Sequence, residues 1–282
     1  MLDLHTHSHA SDGSFSPTEL IAAANADGLR ALALTDHDTI AGLEEGFTSA
    51  QNITMEFIPG LEISLEGPSS RHAMHLLGLW IDHQDQNLLK KLAFLQETRN
   101  ERNAGMIKRF HHLGMPLELA EVQALAGTEL VGRPHFALAL LKRGWVSSLE
   151  EGFRRYLARG AAAYLPKYRL SPAEGLAVLR ANKALPVLAH PCSLGLDGRP
   201  LEKLLRKLKD WGLEGLEVYY SEHRPTQTRQ YLDIAQHLNL AVSGGSDFHG
   251  EAKPTIQIGR GRGNLLVPDE LLEPLRQRRQ QI

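Results

Sequence analysis

Met1-Leu2-Asp3-Leu4-His5-Thr6-His7-Ser8-His9-Ala10-Ser11-Asp12-Gly13 opens the chain, and its reading decides the fold. Residues two apart on a β-strand project from one face, so a strand through His7 aims the imidazoles of His5 and His7 at one point. Ser8, Ser11, Asp12 and Gly13 announce a loop, so His9 joins them only if the strand runs on. Imidazole ligates borderline divalent metals, and a nearby carboxylate such as Asp12 supplies a harder oxygen donor. Taken alone, an H-x-H pattern fits exposed histidines on an N-terminal strand equally well. The rest of the chain has to decide.

It does so by repetition. Ala31-Leu32-Ala33-Leu34-Thr35-Asp36-His37-Asp38 is a short apolar run ending in a polar cluster, and Ile58-Pro59-Gly60-Leu61-Glu62-Ile63-Ser64 carries one acid among apolar neighbours. His72-Ala73-Met74-His75-Leu76-Leu77-Gly78 places His75 at the start of another strand. The runs Leu185 to Pro191 and Leu240 to His249 again lead from strand residues into ligand types, His190 in one, Asp247 and His249 in the other. Titratable residues at the ends of several separate strands point to the C-terminal mouth of a parallel barrel.

The set H-T-H-S-x-x-S-D-G, L-T-D-H-D-T, P-G-L-E-I, H-L-L-G, A-H-P and G-G-S-D-F-H resembles the polymerase-and-histidinol-phosphatase (PHP) superfamily in order and spacing over nearly the whole chain. Within it, G-R-P-H-F-A (Gly132 to Ala137) resembles the branch of 3′,5′-nucleotide bisphosphate phosphatases and related 5′-to-3′ exoribonucleases.

At 282 residues the chain can bury a sizeable core, as one elaborated barrel or as two domains. Its hydrophobic content of 42% and charged content of 23% are ordinary for a soluble globular protein. A net charge of −2 argues against broad nucleic-acid binding through a basic surface, though not against a phosphate held at one site. The single cysteine, Cys192, excludes an intramolecular disulfide and fits a reducing cytosol. With no signal peptide and no bilayer-length apolar run in view, the expected location is cytoplasmic, without membrane contact.

Ser16 and Pro17 read as the start of a helix that Gly28 stops. A strand to Thr35 and a helix from about Thr39 to Ala50 follow, an alternation typical of the α/β class. From about Gln86 to Ala163 the alternation gives way to consecutive helices, with Leu88, Leu92, Leu95, Met106, Ile107 and Phe110 at helical spacing. Alternation then resumes at Leu170. The expected architecture is a distorted (β/α)7-type PHP barrel formed by residues 1–85 and 165–282, with an inserted helical cap at 86–164.

Several histidines and carboxylates can hold more than one divalent cation, and paired ions about 3.5–4 Å apart stabilise both attacking and departing oxygens in phosphoryl transfer. The resemblance implies a three-ion site. His5, His7, Glu62 and Asp247 would hold the first ion, and Glu62 would bridge to a second completed by His75 and His190. Asp12, His37 and His249 would hold the third. The ions expected from the family are two or three Mn2+, with Zn2+ or Fe2+ as alternatives that mixed N/O donors cannot separate. Glu62, His190 and Asp247 are the expected catalytic residues, with Asp247, His190 or a bound water giving the leaving oxygen its proton.

The resemblance also implies the substrates. One is adenosine 3′,5′-bisphosphate (pAp), cut to AMP and phosphate; the other is short 5′-phosphorylated RNA, trimmed 5′ to 3′. Arg133 offers a planar fork to phosphate and Lys167 a point charge; with Arg133 and His135 in the insert and Lys167 where the chain returns to the barrel, the cap would close a cationic clamp over the metal mouth. An interdomain ion pair, a helix surface and a solvated loop are their competing readings. His223, just past a strand end, would contact substrate or leaving group. A histidinol-phosphate-type phosphatase is the neighbouring alternative, and a non-catalytic metal-stabilised accessory module the alternative of another class. No obligate protein partner is expected.

Other residues carry less. Asp36 and Asp38 are expected to orient His37 without binding metal. Only one of Tyr219 and Tyr220 can face the mouth, and core packing is expected of them rather than base stacking. Cys192 reads as structural, Gly259-Arg260-Gly261-Arg262-Gly263 as a turn, and His72, His83, His111, His112 and His237 as surface residues.

Overall fold

The computed structural model describes residues 1–69, 72–126 and 131–282. Their apolar runs form seven strands: β1 (Leu2–Thr6), β2 (Ala31–Leu34), β3 (Glu56–Ser69), β4 (His72–Leu79), β5 (Leu185–Leu188), β6 (Gly215–Tyr220) and β7 (Ala241–Gly245). They lie in one sheet in sequence order. Past the strand ends, the Asp247 N–H donates to the His5 carbonyl at 2.8 Å and the His7 N–H to the Phe248 carbonyl at 2.9 Å, so the last strand returns to the first.

Pairing is parallel from β1 to β3 and from β5 to β7, but β4 runs antiparallel to both neighbours. This corrects the expectation of a mouth built only from strand C-termini. Two residues separate β3 from β4, too few for the crossover a parallel pair requires. His75 therefore reaches the mouth from the early part of a reversed strand.

Helices make the remaining crossovers. α1 (Pro17–Ala26) starts at a capping box in which Ser16 Oγ accepts from the Glu19 N–H and Glu19 from the Ser16 N–H. It buries Pro17, Leu20, Ile21 and Ala24, the spacing of one helical face. α2 is Leu43–Ala50. The helical stretch contains α3 (Gln86–His112), α4 (Leu119–Ala126), α5 (Arg133–Lys142) and α6 (Leu149–Gly152), which leads into a π-helical turn at Phe153–Leu157. α7 (Pro172–Ala181) precedes β5, α8 (Gly198–Asp210) joins β5 to β6, α9 (Pro225–His237) joins β6 to β7, and α10 (Leu272–Arg279) follows. α8 buries Leu201, Leu205 and Leu208 while its lysines face outward, and each such leucine contributes roughly 1.5–3 kcal/mol.

The chain forms two compact units, one of Met1–Lys90 with Arg169–Ile282, the other of Lys91–Tyr168. Their limits differ from the expected 86 and 164 because α3 begins within the barrel unit, where Leu88 is buried. Lys167 consequently belongs to the helical unit. The barrel unit has an aliphatic core that includes Leu2, Leu4, Ala31, Ile58, Leu77, Val187 and Leu275. The helical unit has its own core around Met106, Phe110, Val122, Phe136, Leu140 and Leu157, with the Phe110 and Phe136 rings stacked at 6.1 Å. The Gly/Arg segment closes a turn, with Gln257 bridged to Gly261.

Candidate metal centre

Nine titratable side chains from six of the seven strands and their following loops meet at one end of the barrel unit. His5 lies on β1 with His7 just beyond it, their ring centroids 5.1 Å apart. The loop that follows supplies Asp12. His37 follows β2, Glu62 lies on β3 and His75 on β4, while His190 follows β5, and Asp247 and His249 follow β7. The imidazoles form a contiguous cluster: His7 lies 4.2 Å from His249 and 4.5 Å from His37, and His75 lies 5.2 Å from His37 and 5.1 Å from His190.

Glu62 sits at the centre with no exposed surface. Its Oε1 accepts from His75 Nδ1 at 2.8 Å and lies 3.0 Å from His190 Nε2. Its Oε2 faces His37 Nδ1 at 2.8 Å, His7 Nε2 at 3.3 Å and His5 Nε2 at 3.4 Å. Asp247 Oδ1 stands 3.3 Å from His7 Nε2 and 3.6 Å from His5 Nε2, and Asp12 Oδ1 stands 3.3 Å from His249 Nε2.

This arrangement fits divalent cations. Two donors about 2.0–2.1 Å from one ion at tetrahedral or octahedral angles stand about 2.8–3.4 Å apart, near the spacings found around Oε2 and Oδ1. His5 Nε2, both His7 nitrogens, His37 Nδ1 and Glu62 Oε2 are buried without a hydrogen bond, an arrangement that a bound cation would satisfy. The opposite nitrogens of three rings are anchored: His5 Nδ1 to Glu217 Oε1 at 2.9 Å, His190 Nδ1 to Ser193 Oγ at 2.9 Å and His249 Nδ1 to the Asp247 carbonyl at 2.8 Å. Each anchor leaves Nε2 for a ligand.

Among the described residues, four donor sets have atoms within 4.8 Å of one another: His7, Asp12, His37 and His249; His5, His7 and Asp247; His5, Glu62 and His190; His37, Glu62 and His75. All nine residues expected as ligands fall in these sets, grouped differently from the expectation. His37 joins two sets through its two nitrogens, and His7 stands with Asp12 and His249 as well as with His5. His9, His72, His83, His111, His112 and His237 join none of these sets.

Electrostatics follow from burial and crowding. Burial, then the charges of His249 and His37, lowers His7 to about 3, so its ring is neutral and free to donate a lone pair. His37 is penalised by burial too, yet Glu62 and Asp12 outweigh this and raise it to about 9. Burial works against the charged forms of Glu62, Asp12 and Asp247, but the surrounding imidazoles hold all three well below the usual carboxylate range.

The backbone is strained where the ligands leave their strands. Asp247 has φ +58°, His190 φ +26° and Asp38 φ +52°, conformations that cost on the order of 1–3 kcal/mol and persist only when surroundings enforce them. At β7, a Cβ on Gly245 would lie 2.4 Å from His5 Cβ and 2.5 Å from the His5 nitrogen, so only glycine lets the two strands meet there.

Several supporting residues escaped the sequence reading. Glu217, fully buried on β6, accepts from His5 Nδ1 and, at 2.6 Å, from the His190 N–H. Its signal was a lone acid in the apolar run Leu216 to Tyr220. Asp3 accepts from the Ser246 and Gly259 N–H groups at 2.8 and 2.7 Å, tying β1 to the loop that carries Asp247. Tyr220 turns its hydroxyl onto Asp247 Oδ2, whereas Tyr219 packs against the core.

Asp36 and Asp38 tie neighbouring segments to the cluster. Asp36 binds Ser8 N–H, Ser8 Oγ and Ser11 Oγ at 2.6–2.8 Å, holding the loop that carries Asp12. Asp38 accepts from Ser64 N–H at 2.8 Å. Cys192 is half-buried, its thiol pushed up to about 11 chiefly by burial, as suits a structural thiol.

Of the expected substrate contacts, His223 is buried between the rings of Tyr220 and Tyr231, with Nδ1 donating to the Val218 carbonyl at 2.8 Å. Arg133, His135 and Lys167 belong to the helical unit. There Arg133 donates to the Leu157 carbonyl at 3.3 Å and lies on the Tyr164 ring, and His135 Nδ1 accepts from the Gly132 N–H at 3.1 Å.

A closed mixed sheet whose strand ends gather imidazoles and carboxylates around a shared Glu defines a class of barrel proteins built to hold divalent cations. Residues 3–157 match the PHP domain, and the chain belongs to that family. It is similar to a 5′-3′ exoribonuclease of Haemophilus influenzae, 34% identical over 247 residues that cover 88% of this chain and 89% of the relative. It is also similar to a 3′,5′-nucleoside bisphosphate phosphatase of Chromobacterium violaceum, 30% identical over 92% of this chain and 90% of that protein. Among solved structures, one described as a metal-dependent phosphoesterase from Bifidobacterium adolescentis superposes with a TM-score of 0.83 and 28% identity, covering 98% of this chain and 96% of that one.

Proposed function

We propose that this protein is a metal-dependent phosphoesterase that removes the 3′-phosphate from nucleoside 3′,5′-bisphosphates, pAp to AMP and phosphate, and trims short 5′-phosphorylated RNA from the 5′ end. The observation that carries this reading is the gathering of nine donor side chains, buried Glu62 among them, in a chain whose relatives with those two activities align over about nine-tenths of its length. The same relatives do not favour a histidinol-phosphate phosphatase or a non-catalytic module.

His5, His7, Asp12, His37, Glu62, His75, His190, Asp247 and His249 would hold two or three ions, with Mn2+ the proposed metal. Such ions lower the pKa of water and neutralise phosphoryl oxygens, which is how a very slow hydrolysis becomes fast. Glu62, placed among five imidazole nitrogens, joins two of the donor sets. Asp247 and His190 are the proposed groups beside the leaving O3′. Arg133, His135, Lys167 and His223 are the proposed substrate contacts, the guanidinium of Arg133 suiting the 5′-phosphate. No helix of the described residues is long and apolar enough to cross a membrane, and a cytoplasmic location belongs to the same reading.

The test is a substrate panel with Mn2+, reading released phosphate and released mononucleotides. pAp and short 5′-phosphorylated RNA should be hydrolysed and histidinol phosphate spared, with Glu62→Gln and His190→Ala losing turnover while folded. Arg133→Ala should raise KM for 5′-phosphorylated substrates more than for those without that group. A folded, metal-loaded protein inert toward every phosphoester would end the proposal.

A further inference from the structure

Asp247 uses its two oxygens for different purposes. Oδ1 faces the ring nitrogens His7 Nε2 and His5 Nε2 at 3.3 and 3.6 Å. Oδ2 accepts from the Tyr220 hydroxyl at 2.9 Å and from Lys253 Nζ at 2.6 Å. The two donors come from separate elements, Tyr220 from the end of β6 and Lys253 from the loop after His249. Tyr220 is buried, and the Lys253 side chain keeps 41% of its surface exposed. The backbone contributes as well: Asp247 sits at φ +58° with its N–H donated to the His5 carbonyl at 2.8 Å, which fixes the main chain that carries the carboxylate.

We propose that Tyr220 and Lys253 form a clamp on Asp247 Oδ2 that restricts this carboxylate to one-oxygen ligation. A carboxylate binds a hard cation through one or both oxygens, and the two-oxygen mode consumes an additional coordination position. With Oδ2 committed to a phenol and an ammonium, only Oδ1 is offered to an ion shared with His5 and His7. The position saved stays open for water or a phosphoryl oxygen, as a catalytic site requires and a structural site does not. Tyr220 and Lys253 are thus positioning residues, acting through Asp247. This inference rests on the metal-centre reading above.

Cobalt substitution tests it, because the visible absorption of Co2+ weakens as coordination number rises. Tyr220→Phe removes one oxygen atom and Lys253→Met removes the ammonium at similar length. Each should keep the wild-type Co2+ stoichiometry, weaken the visible band and lower kcat about 10- to 100-fold with KM little changed, the usual effect of losing a partner behind a metal ligand. Lys253→Arg should restore most of the band and the rate, and the double variant should cost less than the product of the single effects, since both act on one oxygen. Unchanged spectra in both single variants would overturn the clamp. So would a Lys253→Met variant with a wild-type spectrum and a raised KM, which would make Lys253 a substrate contact. A wild-type protein that binds no Co2+ would instead overturn the metal-centre reading beneath it.

Discussion

Replacing Glu217 with Gln changes no volume but removes one acceptor from a site that uses two. In the native protein Oε1 accepts from His5 Nδ1 at 2.9 Å and Oε2 accepts from the His190 N–H at 2.6 Å, with no solvent to substitute for either. A glutamine must point its NH2 at one of them. Pointed at His5, it makes Nδ1 the acceptor and moves the ring proton to Nε2, the nitrogen that faces Glu62 and Asp247. Pointed at His190, it sets two donors face to face and leaves a buried N–H unpaired, a loss of about 1–3 kcal/mol. Loss of such a partner typically weakens metal binding about 10- to 100-fold, or about 1.4–2.7 kcal/mol, the same order by either route. Calorimetric titration with Mn2+ should show that loss for Glu217→Gln, and the imidazole 15N shifts of the metal-free protein should report which tautomer His5 holds. Wild-type affinity together with an unchanged His5 tautomer would refute the reasoning.

Three further outcomes are expected. Gly245→Ala should destabilise the protein by about 1–3 kcal/mol in urea unfolding, because its Cβ would press on the His5 backbone at 2.5 Å, and a variant as stable as wild type would contradict that packing. Chelation should lower the melting temperature, and Mn2+ restored to about a hundred times its Kd should return about 2.7 kcal/mol per site; a melting temperature indifferent to chelator would count against the centre. Glu151 is drawn from an ordinary 4.5 to about 2, first by the Ser147 N–H, then by the Ser147 hydroxyl and Arg155. A carboxyl with a depressed folded pKa supports stability above its unfolded value and loses that support as pH falls through the folded one. The stability gap between wild type and Glu151→Gln should therefore close between about 4.5 and about 2, and a gap constant across that window would be inconsistent.

Much of the centre could be read from residues because strand geometry is local. The two-residue spacing of His5 and His7, and ligand types at the ends of apolar runs, follow from the pleat and need no knowledge of neighbours. Glu217 looked like one more strand residue, since its importance lies in contacts with His5 and His190, 212 and 27 positions away. Lys253 had no signal at all. The reversal of β4 was open to inference from its two-residue link to β3, but the polar pattern around His75 reads the same in either direction.

The sequence by itself determined the α/β class, the helical interruption and the capping of α1, because periodicity and end signals are properties of a residue and its near neighbours; the nine donors were expected from the resemblance to the PHP superfamily. Only the tertiary structure decided how those donors are shared: His37 between two sets, Glu62 among five imidazoles, Asp247 with one oxygen facing the cluster and the other held by Tyr220 and Lys253. Sharing depends on distances of 3–4 Å between groups that the chain separates by tens to hundreds of residues. Those distances are set when β7 closes onto β1, a contact that no local pattern encodes.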